Sequence, residues 1–152
     1  MTYTPTLDIS VRFALPTEIV WTALTDARLS AQWWPSLELE PVRGGEFRIQ
    51  TPRPLKKRAR TGQGRLTAFA HGEFAVELES APRHFVSHVT MSVSQAKHKA
   101  KLRIVESGLP DGQYAELIAA ECRDGWREVL AAFEEYLEDA DNVRRVERRC
   151  GS

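Results

Sequence analysis

The sequence predicts an α+β fold, in which a curved antiparallel sheet of about six to seven strands wraps one long C-terminal helix, with two short helices after the first strand. Three observations carry this expectation. Apolar and polar residues alternate over 7–13 and in several runs between 46 and 105, the period of half-buried strands. Those runs follow one another through short turn-like breaks, which is hairpin order and therefore antiparallel. From Gln113 to Asp139 the period changes to steps of three and four, and no other segment is long enough to cover the apolar face of such a sheet.

Taken in order, Leu7, Ile9, Val11 and Phe13 face one way and Asp8, Ser10 and Arg12 the other. Pro16 suits a helix start, where its missing N–H costs nothing, and Glu18 adds a favourable charge there. Val20, Trp21 and Leu24 carry that helix to about Thr25, and a second short helix runs from Ala27 to Trp33, stopped by Pro35. After the Gly44-Gly45 turn, Phe47 and Ile49 alternate with Glu46, Arg48 and Gln50 as a strand. Residues 52–61 hold two prolines and a basic run and read as an exposed hairpin or loop. Strands are expected over 64–70, 73–79, 85–94 and 97–105, separated by His71-Gly72 and Pro82. Gly108, Pro110 and Gly112 form the loop before the long helix, whose stripe is Ile118, Cys122, Trp126, Val129, Leu130, Phe133 and Leu137. The tail from Asp141 has only Val143 and Val146 among many charges and reads as a frayed helix end or disorder.

The 152 residues fit one domain over 1–140 and a charged tail over 141–152. Apolar residues at 42% against 28% charged are globular proportions. Twenty-one basic residues balance twenty-one acidic ones, which gives no electrostatic case for a nucleic-acid partner. No run is apolar for long enough to span a bilayer, and Met1–Thr6 lacks the pattern of an export signal, so a cytoplasmic location is expected. Two cysteines, Cys122 and Cys150, do not make a metal site or a disulfide framework. No phosphate loop, dinucleotide-binding glycine pattern or nucleophile elbow is present. No metal, cofactor or catalytic residue is therefore expected, and a role other than catalysis is favoured.

Five short pieces stand in order along the chain: Pro16 with Val20-Trp21-Thr22-Ala23-Leu24-Thr25-Asp26; Leu29 with Trp33-Trp34-Pro35; Gly44-Gly45-Glu46-Phe47-Arg48; Ser107-Gly108-Leu109-Pro110; and Gly125-Trp126 with Leu130, Phe133, Tyr136 and Leu137. Together they resemble the SRPBCC superfamily, whose fold is called helix-grip or birch-pollen-allergen-like, and within it the branch related to the activator of heat-shock-protein-90 ATPase. The resemblance implies the helix-grip fold. It does not imply one activity, because lipid carriers, hormone receptors, polyketide cyclases and co-chaperones share that scaffold.

The apolar parities converge on an interior bearing Trp33, Trp34, Phe47, Phe74, Met91, Trp126 and Phe133. Such residues can wall a pocket for a small hydrophobic or amphipathic ligand, and they can equally fill a core. His98 shares the parity of Ala100, Leu102 and Ile104 and is expected to point inward, as the one polar group near the pocket. His88 has the opposite parity. Lys56, Lys57, Arg58 and Arg60 form a basic cluster that reads as a solvated loop or a dock for an acidic partner surface. Three functions follow: a small-molecule binding module first, a protein-interaction module resembling a chaperone ATPase activator second, and a cavity enzyme such as a cyclase or hydrolase, using His98, third.

Overall fold

The computed structural model describes residues 5–50 and 60–150. The basic residues Lys56, Lys57 and Arg58 lie outside them. Strand β1 (Leu7–Phe13) leads into helices α1 (Thr17–Thr25) and α2 (Ala27–Trp33), then β2 (Glu38–Leu39), β3 (Glu46–Gln50), β4 (Thr61–Ala70), β5 (Glu73–Ala81), β6 (Phe85–Ala96) and β7 (Lys99–Ser107). Two helices finish the chain, α3 (Ala115–Glu138) and α4 (Ala140–Cys150). The strands form one seven-stranded antiparallel sheet in the order β1-β7-β6-β5-β4-β3-β2. Apart from β1, which returns to pair with β7, each strand pairs with its neighbours in sequence, as hairpin order requires.

Pro16 stands at the N-cap of α1, and Asp26 both ends α1 and caps α2, its carboxylate accepting from the Arg28 N–H at 2.9 Å. The α3 stripe is buried along its length and lies on the inner face of the sheet. Phe133 meets Phe13 of β1 at 5.3 Å between ring centroids, and Trp126 hydrogen-bonds to a β7 side chain. The residues between are the core: Leu66, Phe74, Val76, Leu78, Val89, Met91, Leu102 and Ile104 from the strands, with Leu24 and Leu29 from α1 and α2. This is the helix-grip arrangement.

Three expectations give way. The strand expected from Gly64 begins earlier, at Thr61, where it pairs with Ala81 of a longer β5. The short strand β2, too brief to leave a period in the sequence, pairs with β3. The tail is neither frayed nor disordered over Ala140–Cys150. It is a helix whose Val146 is fully buried in the core cluster and whose Arg149 pairs with Asp26 at 2.8 Å. Those contacts are made with α1 and the α1–α2 junction, remote in sequence, which is why two valines suffice to dock it.

Candidate functional site

Three neighbouring strands each carry a polar residue at the same end of an inward-facing apolar row. In β5 the row is Phe74, Val76, Leu78 and then Ser80; in β6 it begins at Ser87 and continues Val89, Met91, Val93; in β7 it is Ala100, Leu102, Ile104 and then Glu106. Register brings them together, since Leu78 stands opposite Ser87 and Val89 opposite Glu106. All three are buried, Glu106 with no exposed surface.

A carboxylate there needs partners, because an unpaired buried charge is costly. Arg60, immediately before β4, supplies a two-pronged ion pair: Nη1 donates to Glu106 Oε1 at 2.8 Å and Nη2 donates to Oε2. Ser87 donates its hydroxyl to Oε2 at 2.5 Å, and Trp126 of α3 donates its indole N–H to Oε1 at 2.8 Å. Each carboxylate oxygen thus accepts two hydrogen bonds, filling its capacity. Arg60 Nε donates to Ser80 Oγ at 3.1 Å. The guanidinium also lies over the rings of Phe85 and Trp126, 5.4 and 5.7 Å from their centroids, within cation–π range.

Burial works against the charged form of Arg60. The hydrogen bonds and charge of Glu106 outweigh it and hold the guanidinium above its usual range. Beside the pair, burial pushes the Cys122 thiol from 9.0 up to about 12, so it stays protonated and inert. The result is a neutral, hydrogen-bonded polar cluster at one end of an apolar interior, drawn from four strands and their approaches and from α3. Glu106 is too fully occupied to act as a free base. Among the described residues no group of three or more metal-binding side chains gathers, and no helix is long and apolar enough to cross a membrane.

The other aromatic candidates gather elsewhere in the same core. Trp33 stacks on Phe133 at 4.2 Å and touches Trp34 at 5.6 Å, and Phe47 meets Phe74 at 6.0 Å. The Trp33 and Trp34 indoles donate to the carbonyls of Ala23 (3.0 Å) and Gln50 (2.7 Å). Met91 is buried among them in the core cluster. His98 does not point inward. It is exposed in the two-residue turn between Ala96 and Lys99, where Lys97 takes a φ of 58°, so strand parity does not reach it. His88 is exposed as its parity requires, and exposed His71 pairs with Glu18. Arg60, expected in a solvated basic loop, is instead half-buried as the cationic partner of Glu106.

The apolar parities alone thus leave out the polar cluster at this end of the interior. A signal was present: extending the 100, 102, 104 parity by one step reaches Glu106. A cleft of about 300 Å³ is lined by Arg48, Thr61, Gln63, Glu79, Ser80 and His84.

The family model described as Activator of Hsp90 ATPase homolog 1-like protein matches residues 14–138. Protein MLL2253 from Mesorhizobium loti has a similar structure, with a TM-score of 0.71 at 19% identity, covering 88% of this chain and 97% of that one. The Aha1 dimer from Colwellia psychrerythraea has a TM-score of 0.67 at 13% identity, covering 88% and 96%. DynU16, from the dynemicin biosynthetic locus, has a TM-score of 0.69 at 19% identity over 88% of this chain, which spans only 47% of DynU16. At these identities the likeness is one of fold. No curated protein sequence matches the chain.

Proposed function

The chain belongs to the Activator of Hsp90 ATPase homolog 1-like family, and from that premise we propose that it is a binding module holding a small amphipathic molecule between the sheet and α3. The observation that carries this is the Arg60–Glu106 pair, with its Ser80, Ser87 and Trp126 partners, set in an otherwise apolar interior. A well-packed apolar cluster would commonly be as stable there or more so, whereas an apolar site with a few convergent polar groups is what small-molecule recognition uses. The aromatics Trp33, Trp34, Phe47, Phe74 and Phe133, with Met91, supply the apolar wall. Arg60 and Phe85 are the part-exposed members of the polar end, so the ligand reaches the site there.

The test is intrinsic tryptophan fluorescence, titrated with a panel of fatty acids, sterols and aromatic ketones and phenols. A saturable change is expected, because Trp126 belongs to the cluster itself. A flat response across the panel, with no rise in the thermal midpoint, removes the reading. The enzyme alternative relied on His98 and loses that support with the histidine exposed in a turn. The protein-interaction alternative keeps the family description behind it, but Arg60, one of its four contact residues, is occupied by Glu106.

A further inference from the structure

We infer that the ligand of this site presents a neutral hydrogen-bond acceptor, a carbonyl on a flat apolar body, to Arg60. The inference rests on the binding-module reading and specifies its ligand class. Among the polar side chains of the cluster, Glu106 and Ser87 have no exposed surface, and Ser80 and Trp126 have 1% and 2%. The Arg60 side chain keeps 14%. Among the described side chains of the cluster, the polar group that an incoming molecule meets is therefore a guanidinium, which donates hydrogen bonds and accepts none. Three of its five N–H bonds are used, two on Glu106 and one on Ser80. Two remain without a partner among the described residues.

Charge selects among acceptors. Arg60 and Glu106 cancel, so a carboxylate ligand adds a second buried negative charge beside Glu106, and an ammonium offers a donor where a donor already stands. A carbonyl oxygen does neither. The ring faces of Phe85 and Trp126 against Arg60 give the atoms next to that carbonyl a flat apolar surface, which a planar body matches.

The test uses four probes of one shape: 2-acetylnaphthalene, 2-ethylnaphthalene, 2-naphthoate and 2-naphthylmethylammonium. Binding is followed by tryptophan fluorescence and by the Trp126 indole N–H resonance. A hydrogen bond from a charged donor in a shielded site gives the ketone about tenfold tighter binding than the hydrocarbon, with the ammonium weakest. In the double variant Arg60→Met, Glu106→Leu, the ketone and the hydrocarbon converge. Arg60→Lys, which keeps the charge and loses the fork, narrows the difference without abolishing it. Equal binding of ketone and hydrocarbon by the unaltered protein, or tightest binding of naphthoate or the ammonium, overturns the inference and leaves the binding-module reading standing. If none of the four binds and the wider panel is also silent, both fall.

Discussion

At the scale of single residues, the Arg60–Glu106 pair makes a sharp stability prediction. Arg60→Met strands a carboxylate with no exposed surface, the costly half of a broken buried pair, so a loss of about 3–5 kcal/mol is expected. Glu106→Leu is milder, because Arg60 lies near the surface and its long stem lets the charge move toward water. The double variant, with two apolar groups in place of the pair, returns close to the unaltered protein. Urea midpoints at constant m-value check the order; additive single losses in the double variant would deny the pairing. Cys122 gives a second test. Its thiol is held at about 12 in the folded protein against an ordinary 9.0, so the folded state binds this proton more tightly than the unfolded state. Its contribution is fully present below pH 9 and is lost as pH rises toward 12. The fall in urea midpoint across that window should flatten in Cys122→Ala. In the native state, alkylation should modify exposed Cys150 and spare Cys122 until denaturant is added.

At the scale of elements, what was legible depended on whether an element's reason lay within its own segment. The α3 stripe, the β1 alternation and the two proline-bounded helices carry theirs locally, and the structure has them where the periods put them. The α4 helix does not. Its seat consists of the buried Val146, Arg149 on Asp26, Arg145 on Gln32 at 3.1 Å and the Cys150 thiol on Thr22 Oγ1 at 3.2 Å, all partners more than a hundred positions away. Val146→Ala should cost about 2 kcal/mol, from lost burial and a residual cavity. Arg149→Ala should cost less than about 1 kcal/mol, since its ion pair is part-exposed and screened. If the two urea shifts are reversed, charge rather than packing seats the helix. In β4, Gly64 is required by close approach: a Cβ there would come within 1.9 Å of the Glu77 carbonyl oxygen. Gly64→Ala must push β4 from β5 and lower the thermal midpoint.

At the scale of the whole molecule, the fold was legible and the site was not, for one physical reason. Periodicities accumulate: a strand or helix repeats its signal every two to four residues, and five ordered pieces point to one scaffold. The polar cluster repeats nothing. It takes one residue from each of five places, Arg60, Ser80, Ser87, Glu106 and Trp126, and only the register of β5, β6 and β7 under α3 brings them together. A single inward glutamate at a strand end, read alone, resembles a surface residue.

That same dispersion determines how occupancy must look. A molecule docked on one surface element contacts a few neighbouring amides, whereas one seated against this cluster touches the ends of β4, β5, β6 and β7 and the middle of α3. Ligand that binds only the folded state stabilises it by RT ln(1 + [L]/Kd), about 2.7 kcal/mol at a hundredfold excess over Kd. Hydrogen exchange with saturating 2-acetylnaphthalene should therefore slow in step at Thr61–Gly64, Leu78–Ala81, Phe85–Val89, Ile104–Ser107 and around Trp126. In the Arg60→Met, Glu106→Leu protein, the same ketone concentration should give weaker protection over the same five segments, because the apolar wall remains and the hydrogen bond does not. Protection confined to one segment would mean that the molecule sits on the outside.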